Sequence, residues 1–374
     1  MWLRLGLFIL IGSFVALGAN YSFNNNPETF IPRVNLEKSD YLISINQPNS
    51  ARKQLRAILE SGIENENHYD ISRAVKSFIQ TLSPLEPDER KSLFVELDST
   101  VQTLSEPSKS LSKTFLVNQM MNMQYNWLPY GVNVDKVNFS KDTLSLSDPY
   151  DKAKYVFLRT EEISDNLKLL QSHKLKKYWD FLYLDKDHQL LLPTVFDYVS
   201  VNLVQFYQNY DFQRYHDWKY VGEPNESWYY TPDKFSKVSF NTESLRHKIL
   251  NVYTNLEGFH LEDTQLLSSI YYQRLKYIFN EVTVEETEPK WQSAFNYFID
   301  NSSRSKFLYE LALLKYQSGK SYDFKSNTSV KGDLIVAKKM LKDELNRFPD
   351  SDFTEQISDL IQLIEQPRED FNAQ

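Results

Sequence analysis

The sequence predicts an all-α chain of stacked helical hairpins, and three observations carry that expectation. Glycine is scarce, with 9 in 374 residues, whereas 25% of the chain is charged; sandwiches and barrels are richer in turn glycines. Apolar residues recur at three- and four-residue steps in one segment after another, the period of a helix with one buried face. Clusters of Pro, Asn, Asp and Gly fall between those segments at short intervals, so neighbouring helices fold back on one another. The length suffices for two domains or one elongated array with a large core.

The amino terminus is set apart. Trp2, Leu3 and Arg4 lead into Leu5–Leu17, an apolar stretch broken by Gly and Ser alone. Ala16 and Gly18 have the spacing that a signal peptidase prefers, which predicts a signal peptide over 1–18 cleaved after Gly18 or Ala19. A retained anchor is the rival, and would be the chain's one tie to a membrane. The run is short for about 30 Å of hydrocarbon, which favours cleavage. The chain has no cysteine, which excludes a lipid-anchored terminus, disulfides and thiolate chemistry. Export to the periplasm or cell surface is the expected location.

Residues 19–38 read as a linker, 39–240 as an N-terminal helical domain and 241–374 as a C-terminal helical region. Leu55, Ile58 and Leu59 mark a helix that Gly62 suits as a C-terminal cap. Ile71, Ala74, Val75, Phe78 and Ile79 mark the next, stopped by Ser83-Pro84. Glu86-Pro87-Asp88-Glu89 is a helix start, with proline and acids in the first turn. Another start at Ser105-Glu106-Pro107 leads through Leu111 and Phe115 to Trp127. Leu128–Pro149 breaks the pattern and reads as a long loop or small hairpin. Periodicity resumes from Asp151 to about Leu182, with a break near 164–173.

The stretch Leu190–Tyr210 is the expected centre. Val195, Phe196, Val199, Leu203, Phe206 and Tyr207 form a broad apolar stripe beginning near Leu192, with Thr194 and Asp197 suited to its start. Beyond it lies an irregular aromatic segment to Lys237. Helices follow from Ser244, from Asp263 to Asn280, and over Trp291–Ile299, Ser303–Ser318, Lys331–Phe348 and Thr354–Glu365. Ala312, Tyr316 and Gly319, followed by Ala337 to Pro349, resemble the two helices of a tetratricopeptide repeat. Residues 321–330 are inserted between them.

A net charge of -8 and pI near 5.4 argue against a nucleic-acid partner. Gly319-Lys320-Ser321 lacks the earlier glycine of a phosphate loop, since that position is Leu314, and reads as a helix cap. No two of His68, His173, His188, His216, His247 and His260 stand three or four apart, so no paired metal face exists. Asp185, Asp187 and His188 form an acidic turn without the spacing of a calcium loop. Paired acids such as Glu161-Glu162 are consecutive, point apart and read as surface charge. No catalytic residue, cofactor or metal ligand is expected. Tyr215, Trp218, Trp228 and Tyr229 are the candidate ligand contacts, as a stacking platform for sugars or peptides; the competing reading, favoured here, has these aromatics pinning an irregular segment to the helical body.

The order of features resembles the amino-terminal helical region of bacterial alpha-2-macroglobulin-like proteins. The pieces that carry the resemblance are QPNSARKQLRAILESGIENENHYDISRAVKSFI, MNMQYNWLPYGVN, LLLPTVFDYVSVNLVQFY, FIDNSSRSKFLYELALLKYQSGK and AKKMLKDELNRFPDSDF. It implies an exported helical module that in the family precedes β-sandwich macroglobulin domains, some of which trap proteases through a reactive thioester. The 374 residues contain no such sandwiches, and without cysteine they carry no thioester. The expected function is a non-catalytic scaffold that binds a protein partner, such as a macroglobulin-domain polypeptide or a protease. The alternative is a cell-surface glycan- or peptide-binding protein using residues 206–230.

Overall fold

A proline at the first helical position, an asparagine cap and a reciprocal Thr–Asp cap account for much of how the helices start. The computed structural model describes residues 30–122, 149–185, 189, 191–208, 225–241, 244–281, 305, 308–310, 312–313, 316, 322–323, 328–329, 331–350 and 353–365. The fold is all-α. It divides into two compact units, Met1–Thr81 and Leu82–Gln374.

The first unit contains α1 (Phe30–Ser44), α2 (Pro48–Glu64) and α3 (His68–Gln80). Helix α1 starts inside the stretch expected to be a linker, and its Leu36 is fully buried; the helical face there is too short and polar to stand out in sequence. Pro48 occupies the first turn of α2, where its missing N–H costs nothing. Asn67 caps α3, accepting from the Asp70 N–H at 3.3 Å and donating back to the Asp70 carboxylate at 2.8 Å. Asp40 ties α1 to α3 by accepting from Arg73 at 2.9 Å and Ser77 at 3.2 Å.

Gly62 is not the cap of α2, because the helix runs on to Glu64 and Asn65 caps it. Its role is close approach. A Cβ there would stand 3.0 Å from Ile71 Cγ1 and 3.3 Å from the Ile71 backbone nitrogen. Alanine would gain about 1 kcal/mol of helix propensity but push on the start of α3, and overpacking costs about 1–3 kcal/mol. Gly62→Ala is therefore expected to lower the stability of this unit by about 1 kcal/mol in urea titration.

The second unit begins with α4 (Pro87–Gln102), α5 (Ser108–Asn122) and α6 (Pro149–Asn166). Pro87, Asp88 and Glu89 occupy the first turn of α4. The Glu106 carboxylate accepts from the Ser110 N–H at 3.1 Å at the start of α5. Helix α5 is buried nearly all round from Ser108 to Val117. Two 3-10 turns, Leu167–Leu170 and Leu175–Tyr178, and the one-turn α7 (Trp179–Leu182) follow. The hairpin considered at Leu128–Pro149 lies outside the described residues apart from Pro149, which starts α6.

Helix α8 (Val195–Gln208) has its expected stripe buried: Val195, Phe196, Val199 and Leu203 are at 0% exposure. It begins at Val195 rather than Leu192. Just before it Thr194 bridges Lys174 antiparallel, with Leu175 N–H donating to Pro193 O and Val195 N–H to His173 O. Thr194 and Asp197 then cap one another: the Asp197 N–H donates to Thr194 Oγ1 at 3.3 Å, and the Thr194 N–H to Asp197 Oδ2 at 3.0 Å.

A 3-10 turn (Glu226–Tyr229) and the short α9 (Pro232–Phe235) lead to α10 (Leu245–Phe259) and α11 (Thr264–Glu281). Helices on either side of residue 240, placed in separate domains by the sequence, pack together: α8 lies on α10, and Asp197 meets His260 at 2.7 Å. The last elements are α12 (Lys331–Arg347) and α13 (Thr354–Glu365). Just before α12, β1 (Tyr322–Asp323) pairs antiparallel with β2 (Thr328–Ser329), Tyr322 facing Ser329. Those four residues lie in the insertion that the sequence placed at 321–330.

Candidate functional site

Three charged clusters hold the second unit together, and each has a structural assignment. Asp98 on α4 accepts from Arg159 Nη2 at 2.6 Å, Arg159 Nε at 3.0 Å and the Tyr155 hydroxyl at 2.9 Å. Glu162 then takes Arg159 Nη1 at 2.8 Å and the buried Lys113 of α5 at 2.7 Å. Burial pulls the Lys113 ammonium down from its ordinary range, and Glu162 opposes that pull. Glu161 accepts from Tyr207 of α8 at 2.8 Å and from Lys248 of α10. Sequence reading treated Glu161-Glu162 as surface charge; consecutive residues do point apart, and each here meets a different neighbouring helix.

The third cluster involves two of the four candidate aromatics. Trp228 is at 0% exposure and Tyr229 at 5%, so neither presents a ring face to a ligand. The Arg274 guanidinium of α11, itself fully buried, donates to the carbonyls of Trp228 and of Tyr230, the latter at 2.7 Å. It pairs with Glu257 of α10 at 2.7 Å and lies 3.5 Å from the centroid of the Phe235 ring. His247 packs edge-on to Trp228 and against Phe240. The rings that lie over this guanidinium are Phe235 and Tyr271, whereas Trp228 and Tyr230 meet it through their backbone carbonyls. Tyr215 and Trp218, the other two candidate contacts, lie outside the described residues.

Burial raises the Glu257 carboxyl from 4.5 to about 7 although Arg274 beside it pulls the other way. Between those values the folded chain holds a proton that the unfolded chain has released. The contribution is therefore complete below about 4.5 and lost as pH rises through about 7. Stability is expected to decline on the way from weakly acid to weakly alkaline buffer. Urea titrations across that range should show the decline flattened in Glu257→Gln.

An open surface feature is found at the C-terminal end of the chain. Leu308, Ala312 and Tyr316, spaced four apart and helical, join Ala337 and Leu341 of α12 and Ile357, Leu360 and Ile361 of α13 in one core. Ala312 and Ala337 are both at 0% exposure, small residues inside that core. Ser305 donates to the buried Glu344 at 2.9 Å, fixing the same pair. On the outer side, Tyr309 and Leu313 face one stripe of α13. Between them runs a groove of about 370 Å³, open to solvent, lined by Tyr309, Leu313, Gln356, Asp359, Leu360, Gln362 and Leu363.

The described lining of the groove gives an apolar floor, two amide side chains and one carboxylate. Asp359 is exposed, and none of the described ion pairs includes it. The α12 cations that reach α13, Lys338 and Lys342, both bind Glu365 at its last residue, each at 3.0 Å. Sequence reading predicted both helices but did not single out this site. The lining comes from chain positions more than forty residues apart, and the only local signal is the i, i+3, i+7 recurrence of Gln356, Asp359 and Leu363 outside the core stripe.

Among the described residues no group of three or more His, Cys, Asp or Glu side chains converges as a metal site would require, and no helix is long and apolar enough to cross a membrane. The leader expected over 1–18, the Gly319-Lys320-Ser321 cap and the acidic turn at 187–188 lie outside the described residues. Comparison with protein-family models, with curated proteins and with solved structures found no match for this chain.

Proposed function

We propose that this chain is an exported, non-catalytic helical module that binds a polypeptide partner in the groove between Tyr309/Leu313 and α13. The observation that carries the reading is the groove itself. Tyr309, Leu313 and Leu360 on its walls belong to or pack against the shared core beneath it. An open cleft of about 370 Å³ suits the side chains of a docked segment better than an enclosed small molecule. The buried state of Trp228 and Tyr229 weakens the glycan-platform alternative. Export rests on the apolar run Leu5–Leu17. The resemblance to the helical region of macroglobulin-like proteins makes a macroglobulin-domain polypeptide or a protease the natural partner class.

A photo-reactive phenylalanine analogue at Leu363 is expected to capture a polypeptide from the native envelope fraction. The same group at Ile335, 70% exposed on α12 and not among the groove residues, is expected to capture none. Leu313→Glu should remove the Leu363 adduct while circular dichroism stays unchanged. Adducts of equal yield at both positions, or recovery of saccharide alone, would reject the reading.

A further inference from the structure

We infer that the segment held by this groove is a basic amphipathic one, apolar on the face that enters and bearing Lys or Arg at its edge. The inference rests on the interaction reading above and adds the chemistry of the partner. The floor offers Leu313, Leu360, Leu363 and the Tyr309 ring, surfaces that gain from covering by apolar side chains. Among the described lining residues the one charge is the Asp359 carboxylate. Helix α13 itself, TEQISDLIQLIE, contains Glu355, Asp359 and Glu365 and no Lys or Arg. Glu365 is already satisfied by Lys338 and Lys342, which leaves the carboxylate inside the groove as the one a ligand would meet. An acidic segment would set like charge against Asp359 with no cation among the described lining residues to offset it. A basic one gains a charge-assisted bond at the edge of an apolar contact. Gln356 and Gln362 donate and accept, so they add hydrogen bonds without choosing a sign.

Three labelled synthetic helical peptides separate the alternatives by fluorescence anisotropy on the full chain. One carries Leu at i, i+4 and i+7 with flanking Lys; the second replaces each Lys by Glu; the third keeps Lys and replaces each Leu by Ser. The Leu/Lys peptide is expected to bind about ten-fold tighter than either of the others. Asp359→Lys should weaken it about ten-fold and improve the Leu/Glu peptide. Asp343→Lys changes the net charge equally from an exposed position on α12 outside the groove, and should alter neither. Equal weakening by both charge reversals would mean attraction to the net charge of -8 and would overturn the inference. Tighter binding of the Leu/Glu peptide, abolished by Leu313→Glu, would overturn the basic partner while leaving a polypeptide-binding groove in place. The absence of any adduct at Leu363 would reject the groove as an interaction site altogether.

Discussion

Arg274→Met is expected to destabilise the unit from Leu82 onward by about 3–5 kcal/mol, the cost of leaving a buried charge without its partner. The side chain of Arg274 and that of Glu257 are both at 0% exposure. Methionine fills much of the volume but supplies no donor. It would leave the Glu257 carboxylate and the carbonyls of Trp228 and Tyr230 without the guanidinium that serves all three. Glu257 would then take up a proton over a wider pH range, because Arg274 is what opposes the upward push of burial. Far-ultraviolet circular dichroism in urea measures the loss. Arg274→Met combined with Glu257→Leu should recover part of it, since an apolar pair often replaces a buried ion pair without penalty. Recovery should stop short, because each orphaned carbonyl still costs about 1–3 kcal/mol. Complete recovery would show that Arg274 does not hold the 225–235 segment in place.

Asp98→Leu is expected to be the next most damaging change, at about 3 kcal/mol. It removes the acceptor for Arg159 Nε, Arg159 Nη2 and the Tyr155 hydroxyl at once. The loss is set below that of Arg274→Met because Arg159 keeps Glu162 at 2.8 Å and is not left wholly unpaired. Asp98→Asn retains one acceptor oxygen and should cost clearly less. A difference between the two variants, read by urea titration, distinguishes the hydrogen-bonded charge from simple packing. Asp98→Leu without measurable effect would mean that α4 and α6 are joined by Phe94 against Tyr155, whose rings stand 5.3 Å apart edge to face, and not by charge.

Helix existence was legible in the residues because its causes are local. The Pro87-Asp88-Glu89 start, the Thr194–Asp197 pair and the Ile357/Leu360/Ile361 stripe each act within one or two turns of chain. The expected heart of the molecule, Val195 to Tyr207, is buried as its stripe implied. Local signals failed where the partner is distant. Gly62 has the sequence look of a cap, but the reason for its missing side chain is Ile71 on the next helix. For Trp228 and Tyr229 the sequence favoured anchors over a platform, but nothing local announces that Arg274, some forty residues later, will bind the carbonyls of Trp228 and Tyr230. Glu161 and Glu162 read as solvated charge because Lys248 and Lys113, their partners, come from other helices.

The amino-acid order by itself determined a helical chain, the position of most helix starts and the buried face of α8, since backbone propensity, capping and apolar period are properties of short segments. Only the tertiary structure decided which charges are buried, where the two units divide, and that Tyr309 and Leu313 lie across an open groove from Asp359 and Leu363. Those depend on which surfaces meet, and pairing between distant helices is fixed by summed burial over the whole core rather than by any one stretch of chain.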